Sequence, residues 1–341
     1  MDTNYIPNEI VANMLSRLEA KSLLRLQCVS KYWHSMLMDP DFMKLRSRKT
    51  IILSLGKTLH FIDVTDESTY STFKCSSPSQ QLGVKETDIQ VIGSLNGLVV
   101  LVNVNAFVLY NPFTGESKRL PRPPTPNHSD SGYGFGYGAT PTDLKIVRFR
   151  LSSYICDVYD FRRNSWSSWN TTIYDIGFFQ YPVGTFVNGS LYWVNMDQKL
   201  IVLIVKDMVL SKRILPCTYC IKCLGTIDGC LCLLKQITLS RFELWVRKEH
   251  CIESSWVNTY SFMLDCIESF NSRTLKILDD GRILMLNRAD QLIIYDISKG
   301  SYKLLKNLLP DYHSYSSLQR VRGDFGFTSR DWKTERRNQR R

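Results

Sequence analysis

Two patterns of hydrophobic and polar positions divide the chain. Residues 6 to 18, IPNEIVANMLSRL, place Ile6, Ile10, Met14 and Leu18 four residues apart, with Val11 and Leu15 widening the stripe. That spacing lines apolar side chains along one side of an α-helix. Pro7 suits the first helical position, and Glu9 lies in the first turn, where its charge opposes the positive end of the dipole. A second apolar segment, Ser22 to Val29, carries Leu23, Leu24, Leu26 and Cys28. Ser30 can cap a third helix, KYWHSMLM, with Trp33, Met36 and Leu37 on one side. Asp39-Pro40-Asp41 punctuates the run, and a short helix is expected through Arg48. Three or four such helices in about 45 residues cannot bury this much apolar surface among themselves. Some of it must face the rest of the chain or another protein.

From Thr50 the texture changes. IILSL (51–55), LHFIDV (59–64), GLVVLV (97–102), FVLY (107–110), KIVRF (145–149), GSLYWV (189–194), LIVLIV (200–205), CLCLL (230–234) and LIIYDI (292–297) are short, β-branched or aromatic, and bounded by Gly, Asn, Asp or Pro. No helical pattern stands out between about 50 and 300, so this region reads as all-β. It also repeats. FVLYNPFTGESKRL at 107, ICDVYDFRRNSWSSW at 155, FELWVRKEHCIESSW at 242 and LIIYDISKGSYKLL at 292 each join an apolar strand to a second strand through a polar turn. HFIDVTDES at 60 and LIVLIVKDM at 200 read as degenerate copies. The spacings Tyr110 to Tyr159 and Trp245 to Tyr295 are about 50 residues, the period of a propeller blade. A further repeat holds Asn-Gly or Asp-Gly: SLNGLVVL (94), FVNGSLYWV (186), TIDGCLCLL (226) and LDDGRILML (278). Those dipeptides supply the positive φ of tight hairpins. A small sheet cannot hide both faces alone, so the copies must stack radially into a ring of about six blades.

The N-terminal string from Ile6 to Phe42 resembles the F-box. Pro7, Glu9, Leu15, Arg17, Leu18, Lys21, Ser22, Leu23, Arg25, Cys28, Val29, Ser30, Lys31 and Trp33 match its pattern without a gap. Ile6 stands for the usual Leu, Met14 for Ile, and Glu19 for a second Pro, whose loss would let the first helix run on by a turn. The resemblance implies docking to an SKP-type adaptor through Ile6, Pro7, Ile10, Leu15, Leu18, Leu23, Leu24, Cys28, Val29 and Trp33. An internal helical core is the competing role for the same residues. The β region resembles the plant F-box-associated interaction domain in NPFTGESKRLP, in GFGYG followed by DLKIVRF, and in DGCLCLL paired with ELWV. That architecture occurs in pollen S-locus F-box proteins and in F-box regulators of plant immunity.

The expected fold class is therefore α+β multidomain. A small helical F-box spans 1–45, an all-β propeller-like domain spans 46–329, and a basic, solvated tail spans 330–341. Arg46-Ser47-Arg48-Lys49 makes a short link between the halves. The implied function is substrate recognition for an SKP–cullin–F-box ubiquitin ligase. Its partners would be the SKP-type adaptor, the cullin and RING subunits behind it, and a target protein. The alternative is a carbohydrate- or protein-binding propeller outside a ligase, with Tyr133, Phe135 and Tyr137 as its rings.

Composition alters this picture little. Hydrophobic residues at 44% and charged residues at 22% are ordinary for a globular protein, and 12% aromatics favour β structure. The net charge of +11 gathers partly at Arg330, Lys333, Arg336, Arg337, Arg340 and Arg341, where nuclear import or nucleic-acid contact is the sharper reading and a solvated tail the plainer one. No basic stripe with interleaved aromatics appears elsewhere, so nucleic acid is not a favoured partner. MDTNYIPNEI has neither the basic nor the apolar region of a secretory signal. The uncharged stretch Ile89 to Gly115 holds too many asparagines for a membrane span and reads as two strands joined at Asn96-Gly97. Ten cysteines without scaffold spacing imply reduced thiols in cytoplasm or nucleus.

Candidate chemistry is sparse. Cys217-x2-Cys220-x2-Cys223 has the look of a metal site, but Cys230 and Cys232 alternate along an apolar strand and no His lies near. Gly134, Gly136 and Gly138 match a loose dinucleotide pattern, yet Pro141 stands where its helix would start. Those glycines are better placed to let aromatic rings pack across strands. His34, His60, His128, His250 and His313 are scattered. No catalytic residue, cofactor or metal is expected; a propeller hydrolase is the rival without positive support.

Overall fold

The structure is a computed structural model of the 341-residue chain, and its described residues run, with short interruptions, over 6–37, 50–75, 89–125, 131–171, 176–305 and 319–323. Among the described residues helices α1 (Asn8–Ser16) and α2 (Lys31–Leu37) come first. Ser30 caps α2 as its sequence position predicts, with its Oγ accepting from the Trp33 N–H at 3.3 Å. Helix α1 ends earlier than expected: Leu18 lies in a bend and donates its N–H to the Leu15 carbonyl, the tighter i→i−3 closure. Glu19 and the link 46–49 lie outside the described residues.

Six four-stranded antiparallel sheets form among the described residues. Five are continuous in sequence: blade 1 (90–119), blade 2 (131–170), blade 3 (185–214), blade 4 (221–263) and blade 5 (273–305). Blade 6 is composite. It joins Thr50–Leu55, Thr58–Asp63 and Thr72–Cys75 to Gln319–Gly323, with Thr50 opposite Gly323. The first strand of each blade touches the first strand of the next, and Gln319–Gly323 touches Gln90–Leu95, so the sheets close a ring. The pairing in blade 6 fastens that ring by joining the two ends of the β region. The repeated segments at 107, 155, 242 and 292 hold the third strand of their sheets and run into the fourth, and those at 60 and 200 hold the third strand alone. The uncharged stretch after Ile89 forms paired strands of blade 1, Leu95 opposite Leu98. No helix among the described residues is long and apolar enough to cross a membrane.

Hairpin chemistry sets the register. Asn188 and Gly189 have φ of 46° and 76°, and Asp228 and Gly229 have 49° and 72°. Two consecutive positive φ values define the turn whose twist matches the flanking strands. The third-to-fourth-strand turns of blades 2 and 5 use an acidic cap instead. Asp160 Oδ1 accepts from the Arg162 and Arg163 N–H groups, and Asp296 Oδ1 accepts from those of Ser298 and Lys299.

The apolar core is a series of layers between neighbouring blades rather than one central cluster. Ile92, Val100 and Phe107 of blade 1 pack with Tyr133, Phe135 and Ile146 of blade 2. Val147 and Phe149 pack with Leu191, Trp193 and Ile201 of blade 3. Leu234 and Leu244 of blade 4 pack with Ile283 and Ile293 of blade 5. Near the axis first strands crowd, and glycine relieves the crowding. A Cβ on Gly134 would lie 2.7 Å from Leu191 Cδ1 and 2.9 Å from Trp193 Cζ2. Gly132 and Gly136 meet Phe179 and Phe186 in the same way. The glycine run that mimics a nucleotide loop is thus the seat for the aromatic side chains of blade 3.

The two faces of the ring differ in charge. Turns between first and second strands and between third and fourth strands share one face, and they carry Glu116, Asp143, Arg162, Arg163, Lys206, Asp207, Asp228, Asp280 and Lys299. Connections between second and third strands, and from blade to blade, share the other. Among their described residues the charged side chains are Arg122 and Asp197.

Two measurements follow. Gly134→Ala places a methyl group against Leu191 and Trp193 and should cost about 1–3 kcal/mol of stability in denaturant unfolding. Burial works against ionisation of Asp160, but the Arg163 and Arg162 N–H groups and the Lys145 ammonium outweigh it and hold the carboxyl below its ordinary value. Asp296 is lowered in the same balance, against burial, by Ser298 and Lys299. A lowered native value stabilises the fold above the unfolded value of about 3.9, and that contribution is lost as pH falls through the native value. Melting temperature should therefore fall less steeply below about pH 4 in Asp160→Asn plus Asp296→Asn than in wild type, from a lower starting point at neutral pH.

Candidate docking surfaces

Helix α1 splits its apolar stripe. Leu15 is 8% exposed and forms a small core with Leu37, against which Val11, Ala12, Leu26, Trp33 and Met36 are partly buried. The other edge of the stripe points away from that core. Ile6 is 55% exposed, Ile10 52% and Met14 62%, and Leu18 continues the row. Ile10 and Met14, four apart on α1, are neighbours, and Ile6 just before the helix and Leu18 just after it extend the exposed oily row. Val29 and Tyr32 are exposed as well, and the Tyr32 hydroxyl donates to Asn8 Oδ1 at 2.7 Å, which ties α2 to the start of α1. Pro7 and Cys28 are exposed, while Trp33 is half-buried and meets the Tyr32 ring edge-on at 5.5 Å. Leu23 and Leu24 lie outside the described residues.

The residues read from sequence as one docking set therefore occupy two places. Ile6, Pro7, Ile10, Leu18, Cys28 and Val29 are at the surface, and Leu15 and Trp33 belong to the packing that holds α1 to α2. Met14 and Tyr32 also present large apolar surface. Met14 was legible as the third member of the Ile6–Ile10–Leu18 row; Tyr32 had no such signal.

The rings considered for glycan binding are placed otherwise. Tyr133 and Phe135 are buried between blades 1 and 2, and Tyr137 packs edge-on against Phe186 at 4.7 Å. A sugar platform needs an exposed ring face, which Tyr133 and Phe135 do not offer. The cysteines are likewise part of the packing. Cys223 and Cys232 are fully buried in the layer between blades 4 and 5, with Cys230 packed against it, while Cys220 is exposed and Cys217 lies outside the described residues. Among the described residues no group of three or more His, Cys, Asp or Glu side chains is arranged to hold a metal ion.

Blade 2 holds a buried charged cluster. Asp157 Oδ2 accepts from Arg148 Nε at 2.9 Å and Nη2 at 2.6 Å, and Arg150 Nε reaches it at 3.1 Å. Ser168 Oγ donates to Asp157 Oδ1 at 2.6 Å. Arg148 also donates to the Thr125 carbonyl at 3.0 Å and to Thr125 Oγ1 at 2.8 Å. This saturated network clips the blade 1–blade 2 connection onto three strands. Removing one partner leaves an uncompensated buried charge.

Comparison with known proteins agrees with this geometry. Residues 36–306 match the profile of the F-box associated beta propeller domain, and residues 3–48 match that of the F-box-like domain. The F-box protein CPR1 of Arabidopsis thaliana is 26% identical over 88% of this chain and 84% of its own length. The F-box protein At3g07870 of the same plant is 25% identical over 90% of this chain and 89% of its own. Among solved structures, a chain from the nidogen/laminin complex aligns over 82% of this chain with a TM-score of 0.48 and 12% identity. The first profile covers well over half of the chain. The protein belongs to the F-box proteins that carry an F-box associated β-propeller domain.

Asp157→Asn should destabilise blade 2 by about 3–5 kcal/mol, because Arg148 keeps its buried charge and loses its counter-ion. Urea unfolding followed by tryptophan fluorescence reads this through Trp166 and Trp169 of the same sheet.

Proposed function

We propose that this protein is the substrate-recognition subunit of an SKP–cullin–F-box ubiquitin ligase. The observation that carries the reading is the exposed row of Ile6, Ile10, Met14 and Leu18 along and beside α1, whose opposite edge is already packed. Ordinary surface helices turn their apolar side inward. A helical segment that leaves four large apolar side chains outside its core, two on α1 and one at each of its ends, has the form of one waiting for a partner.

Magnitudes set the extent of the contact. Full burial of a large apolar side chain is worth about 1.5–3 kcal/mol, so four half-exposed ones contribute roughly 3–6 kcal/mol. Association alone costs about 4–15 kcal/mol. The ridge cannot hold an adaptor unaided. The SKP-type adaptor must also cover Pro7, Cys28, Val29 and Tyr32, and by the F-box resemblance Leu23 and Leu24. Leu15 and Trp33 act from beneath by holding α1 on α2.

The propeller then holds the target protein while catalysis is carried out by the cullin and RING assembly and its charged ubiquitin carrier. The contribution of this chain is proximity: tethering raises the effective concentration of target lysines at the transfer site. No proton transfer or nucleophile in this chain is required.

Co-expression with a plant SKP-type adaptor and gel filtration tests the assignment. A stoichiometric complex is expected. Ile10→Asp should weaken it by at least about tenfold without changing the melting temperature, since Ile10 lies outside the helical core. Leu15→Ala should instead destabilise the helices by about 2–5 kcal/mol. Failure of the wild-type chain to co-elute with any SKP-type adaptor would overturn the assignment.

A further inference from the structure

Both ends of the β region leave on one face of the ring. Thr50 and Gly323 lie opposite each other in blade 6, and Thr50 also pairs with Asp63, where the third strand of that blade ends. That end carries the charged turns. The β region is thus entered at Thr50 and left at Gly323 on the charged face.

On that second face, three consecutive blades repeat one feature. The connection between second and third strands presents Tyr154 in blade 2, Met196 in blade 3 and Ile237 in blade 4, each exposed. Phe178, from the connection into blade 3, lies beside Met196, whose N–H donates to the Phe178 carbonyl at 2.8 Å. Phe178 is 57% exposed and Met196 62%.

The backbone under this pair is pinned. Gln180 N–H donates to the Val194 carbonyl at 2.8 Å, and its side-chain amide donates to the Ile221 carbonyl of blade 4 at 2.7 Å. Asn195 Nδ2 donates to the Ile176 carbonyl at 2.7 Å, and the Ile221 N–H donates to Gln198 Oε1 at 3.3 Å. Large apolar side chains held on a fixed frame lose little freedom when covered, which is the property of binding anchors.

Charge narrows the occupant. Among the described residues of 151–154, 176–184, 195–198 and 237–240, Asp197 is the charged side chain, although the whole chain carries +11. At the adjoining strand ends Arg150 is engaged by Asp157, and Lys199 and Arg241 border the arc without entering these connections, so their described residues offer an acidic peptide, a nucleic acid or an anionic membrane no cation of their own. Depletion of charge with enrichment of aromatic residues and Met is the composition of an interface centre.

We propose that Phe178 and Met196, flanked by Tyr154 and Ile237, anchor an uncharged, apolar segment of the target protein. The inference rests on the protein being a target receptor, but not on how it meets the adaptor. A random-peptide phage library selected on the full-length protein tests it. Enriched peptides, resynthesised and measured by fluorescence anisotropy, should carry an apolar residue and little net charge. Phe178→Glu and Met196→Glu should each weaken their binding by about tenfold or more with unchanged melting temperature, and Arg162→Ala on the opposite face should leave it intact. No enrichment on the wild type, selection of strongly charged peptides, or indifference to both glutamate substitutions would each overturn the proposal. Binding that depends on Phe178 in a chain that ignores every SKP-type adaptor would support this surface while removing the ligase role.

Discussion

The arrangement depends on a shortage of partners for one helix. A module as short as α1 and α2 can wrap only one edge of an apolar stripe, and Leu15 with Leu37 takes that edge. Ile6, Ile10, Met14 and Leu18 are left over by geometry, because a stripe broadened by Val11 and Leu15 exceeds what a small core can cover. Exposed apolar area of this kind costs solubility unless something binds it. Packing and exposure meet at the level of a single helix: the buried edge and the edge proposed for docking are adjacent residues, Leu15 and Met14.

The propeller solves a different packing problem. Its sheets splay outward, so first strands crowd while outer strands have room. Gly132, Gly134 and Gly136 remove side chains where blade 2 meets Phe179, Leu191, Trp193 and Phe186 of blade 3. Gly93 does the same against Phe135, and Gly225 against Ile277. Closure by Gln319–Gly323 against Thr50–Leu55 then completes the ring, with charged turns on one face and, among the described residues, only Arg122 and Asp197 charged in the connections on the other. A receptor needs such a rigid base, since loops can vary on it without disturbing the layers between blades.

Much of this was legible in the chain. Strands read from short β-branched and aromatic runs bounded by turn residues, and hairpins from Asn188-Gly189 and Asp228-Gly229, because local φ requirements are written in local residues. The six repeated segments located the third strand of every sheet for the same reason, and the fourth in four of them. Closure by QRVRG at 319 was not legible, since two arginines disguise a strand whose partner lies at the opposite end of the β region. Nor could periodicity say which edge of α1 faces inward: Met14 and Leu15 both fit a helical stripe, and only contact with Leu37 separates them. Tyr133 and Phe135 looked available for ligands because aromatic residues between glycines read alike whether the space beside them is solvent or the next blade.

The account stands on the ridge of α1 being a contact surface rather than tolerated exposure. Hydrogen–deuterium exchange of the full-length protein, alone and mixed with an SKP-type adaptor, tests that most directly. Slowed exchange on adding the adaptor should concentrate in peptides spanning residues 6–18 and 28–37, with the propeller strands unchanged. Protection centred on the blades, with those two segments exchanging as fast as in the isolated chain, would contradict it.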